Sequence, residues 1–418
     1  MTAASLRILA GLVLGLALGA LLPAEHAIAG VAEPVGRLWL DALTMTVLPL
    51  VFSLLVTSIA EAAAQASGSR LVVRALGAFA MLLVAATLLA TASVSATLAL
   101  WPLPDGAASL GQHAGVSPLP PAGDWLDGIV PTNPIKAASD TAMLPLVVFA
   151  LLFGLALARV EAGPREAVRL ALRGVADAML VLVRWVLLAA PIGVFALALG
   201  VGQRLGGQAA GLLGHYVAVV VLTALASIVL AIVAAVAFGR IGPLAFARAA
   251  LPAQAVALGT QSSLASLPAM IAAAPALGVD RTAAGVVLPL AVSLFRLTSA
   301  AANVAVAVYL ARVHGVALAP GTLVAGALVA AAVSVAAVGL PAQVSFFAII
   351  APVCLAMGVP VALLPLLLAI ETLPDLFRTL GNVTADLAVT RIVGRGAAPA
   401  EDEPGDRTGD EPAPVGRG

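Results

Sequence analysis

The sequence predicts an all-α polytopic membrane protein of eight transmembrane helices and two re-entrant helical hairpins. Three observations carry that prediction. Hydrophobic residues fill 62% of the 418 positions and charged residues 10%, against about 25% charged in a soluble domain, and mean hydropathy is +1.11. Apolar runs recur along the chain, many near the 20 or so residues that cross a bilayer core of roughly 30 Å. Two further apolar stretches are interrupted midway by small residues and a Leu-Pro pair. The composition also excludes other classes. A lone Cys354 and four scattered histidines leave no disulfide framework and no Cys/His metal cluster. Zero net charge leaves no basic face for nucleic acid.

In chain order the expected spans are 8–22, 38–58, 76–100, 142–158, 179–199, 213–238, 286–309 and 361–390. Arg7 precedes the first run, but no small-residue cleavage site with a polar sequence follows it, so it reads as a retained helix. The interrupted stretches are 251–277, broken at "QSSLASLPAM" with Leu267-Pro268, and 321–359, broken at "VSVAAVGLPAQVS" with Leu340-Pro341. A straight span broken there would leave backbone groups unsatisfied in lipid. A hairpin whose tip faces protein or a water-filled cavity avoids this; an ordinary helix kinked at proline is the alternative. Interrupted segments in corresponding positions also mark the binding site of many transporters.

Orientation follows from arginine. Arg7, Arg70, Arg74, Arg159, Arg165, Arg169, Arg173, Arg240, Arg248, Arg391 and Arg395 alternate with poorly charged loops, which puts both termini in the cytoplasm. Residues 101–140, with Asp105, Asp124 and Asp127, then lie outside. The first hairpin enters from the cytoplasm and the second from outside. Residues 394–418, rich in Gly, Pro and acids, read as a disordered cytoplasmic tail.

The chemistry gathers in the last span. Residues 313–370 contain no Asp, Glu, Lys or Arg, and then "ETLPDLFRTLGNVTADLAV" follows. Glu371, Asp375, Arg378, Asn382 and Asp386 are spaced four, three, four and four apart, within a stripe about 80° wide on a helix of 3.6 residues per turn. Thr379 lies at its edge, and Leu373, Leu376, Leu380, Val383 and Leu387 form the other face. One charge at mid-bilayer costs about 2.5–3.5 kcal/mol on insertion scales. An ion-pair ladder gluing helices together is one reading. It leaves Asn382 and Asp386 unexplained, because no cation follows on this helix before Arg391. A site for a charged solute and companion cations explains the whole stripe.

At these residues the sequence resembles the dicarboxylate/amino acid:cation symporter family, the glutamate and aspartate transporters and their prokaryotic homologues. "VLPLVFSLLV" (47–56), "PTNPIKAASDTAMLPLVVFALLFGLAL" (131–157), "APIGVFAL" (190–197), "TQSSLASLP" (260–268) and "DLFRTLGNVTAD" (375–386) resemble its blocks in order. The resemblance implies an elevator-type glutamate transporter fold that assembles as a homotrimer. The scaffold comes mainly from helices 1, 2, 4 and 5, and the transport domain from helices 3 and 6 with residues 251–390. Arg378 then stands where the side-chain carboxylate of an acidic substrate binds, and Asp375 where its amino group binds. Thr379, Asn382 and Ser299 match further polar ligands; Ser262 and Ser263 match the first hairpin tip, and Gly339 and Pro341 the second. Ser334, Asn382 and Asp386 fit cation positions, with sodium at Asn382 and Asp386.

The sequence departs from the family in the seventh span. Where the family carries Asn-Met-Asp-Gly-Thr, this chain has Phe295, Arg296, Leu297, Thr298 and Ser299, losing the amide, the acid and the glycine that permits unwinding. Gln261 replaces an arginine common in prokaryotic members, and Leu264 and Ala265 replace small, polar tip positions. Glu371, Asp375 and Asp386 against Arg296 and Arg378 leave a net charge of −1. Arg296 reads as a tethered cation, paired with Asp386 or Glu371 in place of one sodium ion; snorkelling toward the cytoplasm is its alternative.

The function expected is symport of a small anionic solute, an acidic amino acid such as aspartate or glutamate, with reduced sodium coupling or with proton coupling. A C4-dicarboxylate transporter and an uncoupled facilitator are the alternatives. An intramembrane hydrolase at Ser262 or Ser263 lacks a histidine nearby in sequence, so no enzyme is expected. No cofactor is expected beyond a bound sodium ion or proton, and membrane lipid is the surrounding partner. The location expected is the bacterial inner membrane. Asp41, Arg184, Cys354, Tyr216 and Tyr309 read as packing or interface residues.

Overall fold

The computed structural model describes residues 3–22, 27–66, 69–104, 107, 129–336 and 342–395. The regular elements among them are helical. The tail beyond Arg395 and most of the expected external segment lie outside the described residues, as do Gly339, Leu340 and Pro341 at the second hairpin tip.

Two packing groups organise the helices. In the first, α1 (Ala3–Leu21) and α2 (Ala27–Ala66) pack with α5 (Met143–Leu157), α6 (Ala162–Leu188) and α7 (Ala190–Leu205), and a short α4 (Pro134–Ser139) leads into α5. Close approach of α1 to α7 rests on glycines four apart. A methyl on Gly15 would lie 2.5 Å from the Phe195 carbonyl oxygen, and methyls on Gly11 and Gly19 would meet the carbonyls of Pro191 and Leu199. Such spacing lets backbones touch where lipid offers no hydrophobic drive.

In the second group, α3 (Arg70–Leu100) and α8 (Gln208–Ala237) surround α9 (Pro243–Thr260), α10 (Ser263–Ala273), α11 (Arg281–Leu294), α12 (Leu297–Val313) and α16 (Thr372–Gly394). Arms α13 (Pro320–Val335) and α14 (Ala342–Ala356) and the short α15 (Leu364–Ile370) touch both groups. Helix α12 is buried along nearly its whole length, and α16 is buried on every side from Gly381 to Thr390. Arg391 clamps the end of α16 by donating to the carbonyls of Gly239, Leu277 and Gly278.

Four expected elements come out differently. The fifth span is bent by 61° between α6 and α7: Pro191 has no N–H to continue the ladder and disfavours helix at the residue before it. The first hairpin reverses at Gln261–Ser262, at the expected serine tip, and the break is narrower than expected, since Leu267-Pro268 lies inside α10. Gln261 takes the left-handed conformation, φ 52°, and the Ser262 hydroxyl accepts from the Ala265 amide at 3.2 Å; together they end one helix and cap the next. The last span is interrupted at Glu371, because Pro374 cannot donate to the Ile370 carbonyl. The apolar face of α16 does not meet lipid along its length: Val383 and Leu387 are fully buried, whereas Leu373 is exposed. The helix runs through the centre of its group.

Among the described residues α2, α3, α8 and the α11–α12 pair taken together are long and apolar enough to cross a membrane, and a fifth span results if the bent α6–α7 pair is counted, with shorter apolar helices besides. The chain is a multi-pass membrane protein.

Candidate solute-binding site

Helix α16 carries the site, and its neighbours complete it. Arg378 and Glu371 form a buried ion pair, Nη1 to Oε1 at 2.6 Å, with both side chains 7% exposed. It is a close charge contact rather than an aligned hydrogen bond. The other oxygen of Glu371 accepts from the Tyr216 hydroxyl of α8 at 3.4 Å. The guanidinium of Arg378 lies 5.8 Å from the ring centre of Phe346 on α14, within cation–π range. Its Nε and Nη2 are buried and make no hydrogen bond among the described residues. One corner of the fork is therefore anchored, and the edge with two parallel donors has no hydrogen-bond acceptor among the described residues. That edge matches a carboxylate in a way a lysine ammonium cannot.

One turn before Arg378, Asp375 is half-buried and feels the charges of Arg378 and Arg296. Thr379 donates its hydroxyl proton to the Asp375 carbonyl at 2.9 Å. Ser262 and Ser263 sit half-buried at the first hairpin tip, where the first amides of α10 point out. Ser334 on α13 is buried, and its hydroxyl makes no hydrogen bond among the described residues. The roles expected of Gly339 and Pro341 fall on positions outside the described residues.

The seventh span is broken even though its glycine is missing. Helix α11 ends at Leu294 and α12 starts at Leu297, with Phe295 and Arg296 between them in non-helical conformations. The break is held from outside. Phe295 is fully buried and stacks on Phe79 of α3, ring centres 4.9 Å apart. The freed amides of Thr298 and Ser299 donate to Asn382 Oδ1 at 3.0 and 3.2 Å, and Asn382 Nδ2 donates to Ser299 Oγ at 2.8 Å. Asn382 thus caps a helix belonging to another part of the chain. Gly381 makes the approach feasible, since a methyl there would come within 2.8 Å of Thr298 side-chain carbons.

Arg296 sits at this break, just past the partially negative end of α11. It interacts electrostatically with Asp375 and Asp386. Of the two partners expected for it, Glu371 instead pairs with Arg378. Asp386 is 1% exposed, and neither of its carboxylate oxygens makes a hydrogen bond among the described residues; Arg296 is the cation acting on it.

Sequence reading missed Tyr216, Phe346 and Gly381, and also Gln254, whose amide donates to Thr384 Oγ1 at 2.9 Å and ties α9 to α16. Tyr216 had a usable signal: it is one of only two tyrosines and lies inside an expected span, where a buried hydroxyl needs a partner. Asp41 and Arg184 are exposed.

Broken apolar helices with charged side chains turned inward are the arrangement found at the binding sites of many membrane transporters. The chain belongs to the sodium:dicarboxylate symporter family, matching it over residues 4–395. It is 28% identical over 295 residues to the C4-dicarboxylate transport protein of Solibacter usitatus, covering 69% of this chain and 67% of that one. Identity to the proton/glutamate-aspartate symporter of Escherichia coli is 25% over 407 residues, covering 93% and 92%. For the proton/sodium-glutamate symport protein of Bacillus caldotenax it is 24% over 412 residues, covering 96% of each. A C4-dicarboxylate transport protein of Rhizobium etli is matched over 61% of its length. The glutamate symporters thus align nearly end to end and the dicarboxylate proteins over about two thirds.

Proposed function

We propose that the protein is a secondary active symporter of a small acidic solute, an acidic amino acid in the first instance. The observation that carries this reading is the buried Arg378 fork, anchored by Glu371, whose Nε and Nη2 donors have no acceptor among the described residues. A substrate carboxylate would take that edge, and half-buried Asp375 would take the ammonium group. Thr379 and Ser299 would supply hydroxyls, and the tip at Ser262 and Ser263 would offer amides to a second carboxylate. A C4-dicarboxylate is the second reading. It is favoured by the names of several relatives and opposed by Asp375, a carboxylate where that substrate has no cation.

Arg296 acts in this reading as a fixed cation. It stands where carriers with broken helices hold sodium, at the negative end of a half-helix, and it serves Asp386. The Asn382 amide oxygen already accepts from two backbone donors, which leaves Asp386 and the Ser334 hydroxyl for a sodium ion. Sodium dependence is accordingly weak or replaced by protons. The two packing groups support a fixed scaffold and a mobile transport domain, gated by the second hairpin around Gly339 and Pro341. Assembly as a homotrimer in a bacterial inner membrane, with both termini cytoplasmic, completes the reading.

Binding of L-aspartate and of succinate to the purified protein in detergent tests it. Arg378→Lys keeps the charge and removes the fork, so affinity should fall at least about tenfold, some 1.4 kcal/mol. Unchanged affinity for both anions would refute the assignment.

A further inference from the structure

We infer that Glu371 is the proton-carrying group of this transporter, exchanging its ion pair with Arg378 for a proton when the substrate carboxylate arrives. This rests on the anion site proposed above and assigns its coupling ion to one residue. Glu371 holds Nη1 of Arg378 at 2.6 Å, a contact that neutralises the buried guanidinium. A substrate carboxylate on the Nε–Nη2 edge would put two carboxylates on one guanidinium, at a depth where water does not screen them. A proton on Glu371 removes the excess charge. The reverse holds without substrate: a neutral Glu371 would leave Arg378 as a buried cation whose partner had been discharged. Substrate alone and proton alone are both penalised, and the two together are not. That is the condition for obligatory coupling.

Charge counting agrees. The empty site is at −1 with its three acids and two arginines ionised. An acidic amino acid of net −1 bound with one proton leaves that charge unchanged, so the loaded and empty sites cross the membrane at equal electrostatic cost. Tyr216 suits both states: its hydroxyl points at Oε2, and a neutral carboxyl still offers a carbonyl oxygen to accept from it. The step moves one proton from water to a Glu371 oxygen and breaks no other bond.

The groups around Glu371 do not supply an equal alternative. On α16, Asp375 feels the charge of Arg296 as well as that of Arg378. On α8, the nitrogens of His215 lie 3.1 Å from the Tyr309 hydroxyl of α12 and 3.2 Å from the Trp101 carbonyl oxygen, engaged there rather than with Glu371 or Arg378. Cys354 of α14 is a buried free thiol. Helix α15 carries no ionisable side chain, and Arg7 of α1 and Arg204 of α7 are exposed.

The test is proton uptake on adding L-aspartate to the whole protein in weakly buffered detergent, read with a pH indicator alongside binding. Wild type should take up about one proton per anion, and its affinity should fall by up to about tenfold per pH unit on the alkaline side of the transition. Glu371→Gln should bind with a flat pH profile and take up none. Tyr216→Phe, which keeps the packing, should shift the profile while preserving uptake, and it decides the matter if Glu371→Gln does not fold. Uptake persisting in Glu371→Gln, a profile unmoved by Tyr216→Phe, or binding without uptake in wild type would each overturn the proposal while leaving the anion site standing. Failure to bind either L-aspartate or succinate would overturn the anion site itself, and the proton assignment with it.

Discussion

Two places where the chain leaves helical geometry solve the same problem differently. At the first hairpin tip the new helix is capped by its own sequence, Ser262 accepting from Ala265 three residues on. At the break between α11 and α12 the freed amides are capped by Asn382, more than 80 residues away on α16. The first solution is local and can form before the rest of the molecule. The second exists only when α12 and α16 are docked, so it ties the shape of the Arg296 corner to the helix carrying Arg378. A local cap builds a tip; a distant cap couples two parts of a site.

The largest effect expected from this contrast is that of Asn382→Ala. It strands two buried amides, at roughly 1–3 kcal/mol each, and should lower both thermal stability and anion affinity. Asn382→Asp keeps the acceptor and should recover part of the stability. Gly381→Ala comes next: its methyl meets Thr298, and overpacking of this kind costs about 1–3 kcal/mol. Thermal unfolding and L-aspartate affinity measured on the same samples should fall together. Ser262→Ala should cost only about 1 kcal/mol, seen as faster hydrogen exchange confined to the start of α10. If Ser262→Ala proved as damaging as Asn382→Ala, the distinction between local and distant capping would fail.

The smallest effect is expected at a third cap, outside the membrane-spanning segments. Asp280 accepts from the amides of Thr282 and Ala283 at the start of α11, and chiefly the Ala283 contact holds its carboxyl below the usual aspartate range. Its stabilising contribution is therefore present above the ordinary aspartate range and lost as pH falls through the lowered value. Melting curves of wild type and Asp280→Ala should differ slightly at neutral pH and converge in strong acid. A gap that widened toward acid would have the wrong sign.

The same contrast explains what was legible in the sequence. The first hairpin announced itself through a serine cluster, although the Leu-Pro pair drew attention from the actual turn at Gln261. The stripe of Glu371, Asp375, Arg378, Asn382 and Asp386 follows from helical spacing alone, and all but Asp375 are buried. The break at Phe295–Arg296 was hidden because its causes are remote: Phe79 stacks on one side, and Asn382 collects the amides on the other. Spacing along one helix likewise could not reveal that Tyr216 of α8 meets Glu371, or that Glu371 rather than Asp375 makes the short contact with Arg378.

The proposal for Arg296 is that it serves as a built-in cation in a carrier driven by protons. The most direct measurement is uptake of labelled L-aspartate into proteoliposomes holding wild type or Arg296→Met, under an inward sodium gradient or an inward proton gradient. The account predicts proton-driven accumulation by wild type with little response to sodium, and a sodium requirement that appears when the guanidinium is removed. Sodium-driven accumulation of equal size in both proteins would contradict it.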